Sequence, residues 1–490
     1  MPENVSAVPR KDLTPVDVSI MVVGIVLGIG IFKTPSLVAR YAGDETVFVS
    51  LWLLGGLITV IGSVCYAELG SARPDAGGEY AFLREAYGSK VALLFAWARC
   101  TVIQPGAIAA AAFVMGDYAN VVWPLGAPGP GIYALASVIV FTLVNHVGTT
   151  PGKLVQKAVE VIVVLSMLGI VISAFVARVP EPGAGTPQTT SWGGAGLAMM
   201  FILLTYGGWN EAAYLSGELQ DARRNMARAL VVGVLVVVAV SLAINFAYLH
   251  VLGLDGIRNS EAVGAAMMRV VAGDAGATGM CVVVGCCSLT TLKGVLKPGG
   301  GGYRAATPPR AAGGAAIGGG GPAPAGATDL RVVIVLSTLT TLNGLIITGA
   351  RSYYALGRDV GALRSVGTWR RQGSTPANAL LLQGAVSAVL VVFGAFTRAG
   401  FRTMVAYTSP VFWFFMLLVA LSLYVFRRRE TGGESHYRVP LYPVTPALFA
   451  LSCLWVLCSS LLDAGRGSIV GVAVLLAGTP LLFLRAPRPR

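Results

Sequence analysis

Gly28-Ile29-Gly30-Ile31-Phe32-Lys33-Thr34-Pro35 interrupts an apolar run that extends from about Val16 to Ala39. The run is long enough to cross a bilayer. Glycine and proline are the poorest helix formers, and an intramembrane lysine is costly. Backbone groups released at that depth are strongly unfavourable unless they line a cavity or lie buried in protein. Secondary transporters build substrate sites from broken helices of this kind. The stretch therefore points to solute transport. It has no small-residue cleavage site and ends in Lys33-Thr34-Pro35, so it reads as a retained span and not as a signal peptide.

The remainder of the chain has the composition of an integral membrane protein. Of 490 residues, 55% are hydrophobic and 12% charged, against about 25% charged in soluble domains; the mean hydropathy is +0.72. Abundant glycine suits close packing of membrane helices. Hydropathy predicts twelve spans: 16–39, 46–69, 91–122, 132–147, 155–177, 192–215, 229–252, 331–355, 379–396, 404–426, 442–462 and 468–484. The predicted organisation is a tail at 1–15, one transporter domain at 16–261 and 331–484, an intervening segment at 262–330, and a tail at 485–490.

Lysine and arginine set the orientation. Arg10, Lys11, Arg73, Lys153, Arg223, Arg224 and Arg427-Arg428-Arg429 fall on the side expected to be cytoplasmic. The opposite side holds Arg40, Arg178, Arg258, Arg269, Arg398, Arg402 and Arg466. Both termini are then expected in the cytoplasm, with the protein in the cytoplasmic membrane. The net charge of +13 reflects this bias, and nucleic-acid binding is a poor reading. The seven cysteines lie in apolar segments without metal-ligand spacing and read as small buried hydrophobes. The loop Trp123–Gly131 contains none, which excludes a disulfide to a heavy partner subunit there.

A second break, Thr205-Tyr206-Gly207-Gly208-Trp209-Asn210-Glu211, interrupts the sixth span. One break alone could be a glycine packing kink. Two at corresponding places point to an inverted-repeat transporter site, here two five-helix repeats followed by two further helices. Free amides at the half-helix starting near Ile31 suit a carboxylate. Gly28 and Gly30 let that backbone approach a ligand. Unwound carbonyls near Ile25 and from Leu204 to Gly207 suit an ammonium. A site offering both fits an α-amino acid.

These motifs resemble the amino acid–polyamine–organocation superfamily, close to bacterial permeases of the L-type amino acid transporter group. Gly28-Ile29-Gly30-Ile31-Phe32 and Tyr206-Gly207-Gly208-Trp209-Asn210 resemble its helix-1 and helix-6 signatures. Tyr66-Ala67-Glu68-Leu69-Gly70, Pro74, Gly77-Gly78-Glu79-Tyr80 and Glu85-Ala86-Tyr87-Gly88 resemble its first cytoplasmic loop. Leu342-Asn343-Gly344 with Arg351-Ser352 resembles its eighth helix. The resemblance implies an all-α LeuT-type fold with broken helices 1 and 6. It also implies carboxylate binding around Gly28 to Ile31, ammonium binding at Ile25 and the helix-6 carbonyls, and Leu204 where relatives often carry an aromatic gate. Tyr206, Gly207, Gly208, Trp209 and Asn343 complete the expected substrate-binding set.

Three features depart from that pattern. Ala222 and Ala227 stand where proline is usual, which predicts a looser loop over 220–228. Val163 or, with a gap, Glu160 falls where many relatives have a helix-5 lysine. Glu160 is a candidate carboxylate for a coupling proton, against a paired or helix-end glutamate. Residues 262–311 also resemble a degenerate copy of 312–361: Ala275-Gly276-Ala277-Thr278 recurs as Ala325-Gly326-Ala327-Thr328, and Leu289-Thr290-Thr291-Leu292 as Leu339-Thr340-Thr341-Leu342. The Gly/Ala/Pro-rich stretch 299–328 is expected to be disordered.

Lys33 either faces an outer vestibule or snorkels to the interface. Arg99 is expected to snorkel or pair inside the bundle. Gln104-Pro105 predicts a kink. Trp52, Trp123, Trp192 and Trp455 read as interface anchors. The sequence offers no phosphate loop, catalytic triad, cofactor motif or metal cluster, so no enzymatic activity is expected. The reading is an amino acid permease working by alternating access. The alternatives are an exchanger or cationic amino acid/polyamine antiporter, and a transport-inactive relative or sensor.

Overall fold

The computed structural model describes residues 14–27, 30–147 except 76 and 123, 192–260 except 217 and 218, 376–429 except 398, 436–462 and 465–483, with short pieces of 167–176, 263–271, 342–357 and 364–368. Gly28, Ile29, Glu160, Asn343, the side chain of Ile25 and the segment 299–328 lie outside the described residues. Among those described, seven helices are long and apolar enough to cross a membrane, and Pro15–Gly24, Gly193–Thr205 and Gly467–Ala477 are shorter apolar helices.

The first span is two helices, α1 (Pro15–Val26) and α2 (Gly30–Ala39). Thr14 starts α1 with a reciprocal cap: its hydroxyl accepts from Asp17 N–H, and its own N–H donates to the Asp17 carboxylate. Then follow α3 (Glu45–Ala72), capped by Asp44 on Val47 N–H at 2.8 Å, and the short α4 (Glu79–Tyr87). The third span joins α5 (Ser89–Ala98) to α6 (Gln104–Val122) through a π-turn at Arg99–Ile103. Beyond α7 (Gly129–Val147) comes the second broken span. It comprises α8 (Trp192–Thr205), a 3-10 turn at Trp209–Glu211 and α9 (Ala212–Leu215). The remaining helices are α10 (Ala222–Arg258), α11 (Ala377–Ala395), α12 (Gly400–Arg429), α13 (Val444–Leu462) and α14 (Arg466–Ala477). The loop expected over 220–228 is helical from Ala222, and Arg224 and Asn225 N–H both donate to the Asp221 carbonyl.

The helices pack in two groups. In one, α10 packs on α1, α2 and α3, and α8 on α2 and α3. In the other, α6 packs on α7, α11 and α12. Trp52 corrects the interface reading made from its place near a span end. It is 1% exposed, lies edge-on to Tyr206 and offers its carbonyl to the Tyr206 hydroxyl at 3.3 Å.

The kink expected at Gln104-Pro105 is the π-turn just before it. Proline has no N–H to give, so the Thr101 carbonyl four residues back loses its helical partner, and the Cys100 carbonyl lies beside it in the widened turn. Tyr353 donates its hydroxyl to Cys100 O, and Tyr407 to Thr101 O at 3.0 Å. Pro35 does the same to Ile31 O inside α2, and the Tyr248 hydroxyl reaches that carbonyl at 3.5 Å. Tyr407→Phe should strand the Thr101 carbonyl and cost about 1–3 kcal/mol, measured as a lower melting temperature of the detergent-solubilised protein.

Candidate functional site

The two breaks touch. Leu27 ends α1, its N–H on Val23 O at 2.8 Å, and α2 begins at Gly30. A side chain at Gly30 would meet Thr205 of α8, with its Cβ 2.9 Å from Thr205 Cα and 3.0 Å from Oγ1. Thr34 holds the same place from one turn on: its hydroxyl donates to Gly30 O at 2.8 Å and shares a hydrogen bond with the Thr205 hydroxyl. Thr205 is the last residue of α8 before Tyr206-Gly207-Gly208. The N-terminal amides of α2 therefore open beside the C-terminal carbonyls of α8.

The second break has its own geometry. Gly207 N–H turns to Leu204 O at 3.1 Å and not to the Leu203 carbonyl that α-helical spacing would choose. Gly208 takes φ +104°, a left-handed conformation that favours glycine. The 3-10 turn then runs to Glu211, whose N–H bonds Gly208 O at 3.1 Å. Ile31 is buried, whereas Leu204 is 39% exposed. Tyr206 and Trp209 turn the other way. Tyr206 packs on Trp52, and Trp209 lies edge-on to Tyr66 at 5.0 Å and tilted on Phe449 at 6.2 Å. Of the residues expected to bind substrate, these two brace the break. Gly30, Ile31, Leu204, Gly207 and Gly208 form it.

Sequence reasoning missed the polar cluster behind the second break. Glu79, at the start of α4, accepts from Tyr66 OH at 2.7 Å, Asn210 Nδ2 at 3.0 Å, Tyr214 OH at 3.2 Å and Arg99 Nη1 at 3.3 Å. Arg99 also donates to both oxygens of Glu211 at 2.8 Å and to Ser352 Oγ at 2.9 Å, and its guanidinium lies 4.4 Å over the Tyr214 ring. Gly78 makes room: it has φ +49°, and a Cβ would meet the Tyr214 ring at 2.9 Å. The signal was present. A membrane arginine demands a carboxylate partner, and Glu79 and Glu211 are the acidic residues of the two adjoining motifs.

At the other end, Lys33 has a partner on the third span. Its Nζ meets Asp117 Oδ2 of α6 at 3.2 Å. Arg258, at the end of α10, closes the C-terminus of α2 with bonds to Ala39 O at 2.9 Å and Ala42 O at 2.7 Å, as expected of a cation at a helix C-terminus. No group of three or more possible metal ligands occurs among the described residues.

Broken apolar spans that meet at their ends, beside seven helices long and apolar enough to cross a membrane, are the architecture of a multi-pass membrane protein. Comparison with known proteins agrees. A profile of the amino acid permease family matches residues 13–296 and 320–479, and the chain belongs to that family. It is similar to the serine/threonine exchanger SteT of Bacillus subtilis, 29% identical over 237 residues, which is 48% of this chain and 54% of SteT. It is similar to the human Asc-type amino acid transporter 1, 28% identical over 52% of this chain and 51% of that one. The mouse b(0,+)-type amino acid transporter 1 is 29% identical over 50% and 52%. The chain thus spans about half the length of the curated relatives it matches. All three are named as transporters or exchangers, not enzymes.

Glu79→Ala should leave the Arg99 guanidinium short of a buried partner and cost about 3–5 kcal/mol, read as a fall in melting temperature. Glu79→Gln, which keeps one acceptor oxygen, should cost less.

Proposed function

We propose that this protein is a secondary transporter that moves neutral α-amino acids across the cytoplasmic membrane by alternating access. The observation that carries the reading is the contact of the two broken spans at Gly30 and Thr205. In this reading the substrate carboxylate takes the free amides from Gly28 to Ile31. The ammonium takes carbonyls at Ile25 and from Leu204 to Gly207, with Leu204 over the side chain and Asn343 on the facing wall. The fold would be the twelve-span LeuT-type arrangement with both termini in the cytoplasm. The group containing α1, α2, α8 and α10 would rock against the group containing α6, α7, α11 and α12.

Exchange is the second reading, and the relative named a serine/threonine exchanger favours it. A cationic substrate fits less well, because Lys33 stands just beyond the α2 amides. A coupling proton, with Glu160 as its carboxylate, remains a separate proposal; unchanged pH dependence of uptake in Glu160→Gln would remove it.

The eighth span is proposed to be the second copy of the repeated segment, over 331–355. Its support is the seating of that copy on the third span and on α11. Gln104 and Gln383 donate to Leu345 O at 2.9 Å and Ile346 O at 3.1 Å. Ser352 meets Arg99, and Tyr353 meets Cys100 O.

A thermal-shift screen of the purified protein against the twenty amino acids and common polyamines should select small or mid-sized neutral amino acids. Labelled substrate should then accumulate in proteoliposomes, and counterflow should accelerate it if the protein exchanges. Binding without flux would overturn transport in favour of a sensor. Gly30→Val should abolish amino acid binding, because its side chain would occupy both the carboxylate position and the space filled by Thr205. Near-normal affinity in that variant would refute the site.

A further inference from the structure

Ion pairs at the two ends of the third span, one at Asp117 and two at Arg99, join the two helix groups. Asp117 of α6 holds Lys33 of α2 at 3.2 Å, and Arg99 in the π-turn holds Glu211 at 2.8 Å and Glu79 at 3.3 Å. Arg99 and Asp117 stand about five turns apart along the third span, roughly 27 Å. That is close to the roughly 30 Å of a hydrocarbon core. Lys33 lies three residues past Gly30, and Glu211 three residues past Gly208. Each pair therefore grips the half of a broken span that follows its break, one half at each end of the molecule.

We propose that Asp117 and Arg99 are opposed gate latches, positioning residues that hold the two ends of the pathway shut and must let go in turn. The proposal rests on the transport reading above. With both pairs formed, the half-helices after both breaks are tied to the third span. Opening the Lys33 end requires α2 to leave Asp117. Opening the other end requires Glu211 to leave Arg99. The latches are unequal. Lys33 and Asp117 keep 17% and 37% of their side chains exposed, where water weakens an ion pair. Arg99 and Glu79 keep 5% each and Glu211 20%, and the guanidinium is held further by Ser352 and Tyr214. The end bearing Lys33 is therefore the one that opens more readily.

The test uses two isosteric variants, Asp117→Asn and Glu211→Gln, in proteoliposomes of known orientation. The labelled amino acid is L-serine, presented from the Lys33 side. Weakening the outer latch raises the fraction of protein open to that side, so Asp117→Asn should lower KM about two- to fivefold. Glu211→Gln should raise KM about tenfold by favouring the opposite opening. The double variant should return KM toward the wild-type value.

A second readout does not depend on flux. In a background whose native cysteines are serine, Leu204→Cys should label faster with a membrane-impermeant maleimide added on the Lys33 side when Asp117→Asn is present. With Glu211→Gln it should label faster from the other side. Shifts in the same direction, or unchanged labelling in well-folded variants, overturn the latches. Opposed labelling shifts without flux in the wild type would instead overturn transport and leave the latches standing.

Discussion

A main-chain N–H or C=O with no partner is intolerable in hydrocarbon, and this molecule is organised around that constraint. Each place where a span departs from α-helix frees such groups, and a side chain from another helix meets those that the structure pairs. Tyr248 reaches the Ile31 carbonyl, Tyr407 and Tyr353 the carbonyls of the π-turn, and Gln104 and Gln383 the carbonyls of residues 345 and 346. The donors are tyrosine and glutamine, whose long side chains carry a polar tip across an apolar interface. The amides and carbonyls at the meeting point of the two breaks are the groups on which the proposed substrate site depends.

Close approach makes that meeting point possible. The absence of a side chain at Gly30 brings α2 against Thr205, and the two buried threonines then share a hydroxyl bond. A larger residue would separate the amides of one break from the carbonyls of the other. The pair of half-helix dipoles would then face lipid or packed side chains, and neither end would be useful to a ligand.

Both breaks were legible in the sequence because glycines inside an apolar run are poor helix formers, although Lys33 and Pro35, read as part of the first break, are helical within α2. Gly207-Gly208 even marks the left-handed residue of the turn. The roles of Tyr206 and Trp209 were not legible. Their spacing places them at the break, but which face they take depends on the fit of Gly62 beneath Trp209 and of Trp52 beneath Tyr206. The Glu79 cluster was hidden for a related reason. Its members come from five separate stretches, and only the demand of Arg99 for a buried anion ties them together. Lys33 shows the limit of hydropathy: snorkelling and pairing leave the same trace in a sequence until a partner such as Asp117 has a position.

The π-turn links the backbone problem to the electrostatic one. A single residue added to a helical turn rotates everything beyond it by about 100°. In the third span that rotation falls between Arg99 and Gln104. Ahead of it, α5 presents Arg99 to α4, to Tyr214 of α9 and to Glu211. Beyond it, Gln104 reaches the carbonyl of Leu345, and Gly106 lies against Thr408 of α12. A regular helix would have to choose between these faces. Pro105 removes the choice, because its missing N–H favours the wider turn. The same residue that kinks the span therefore aims its arginine at the second break.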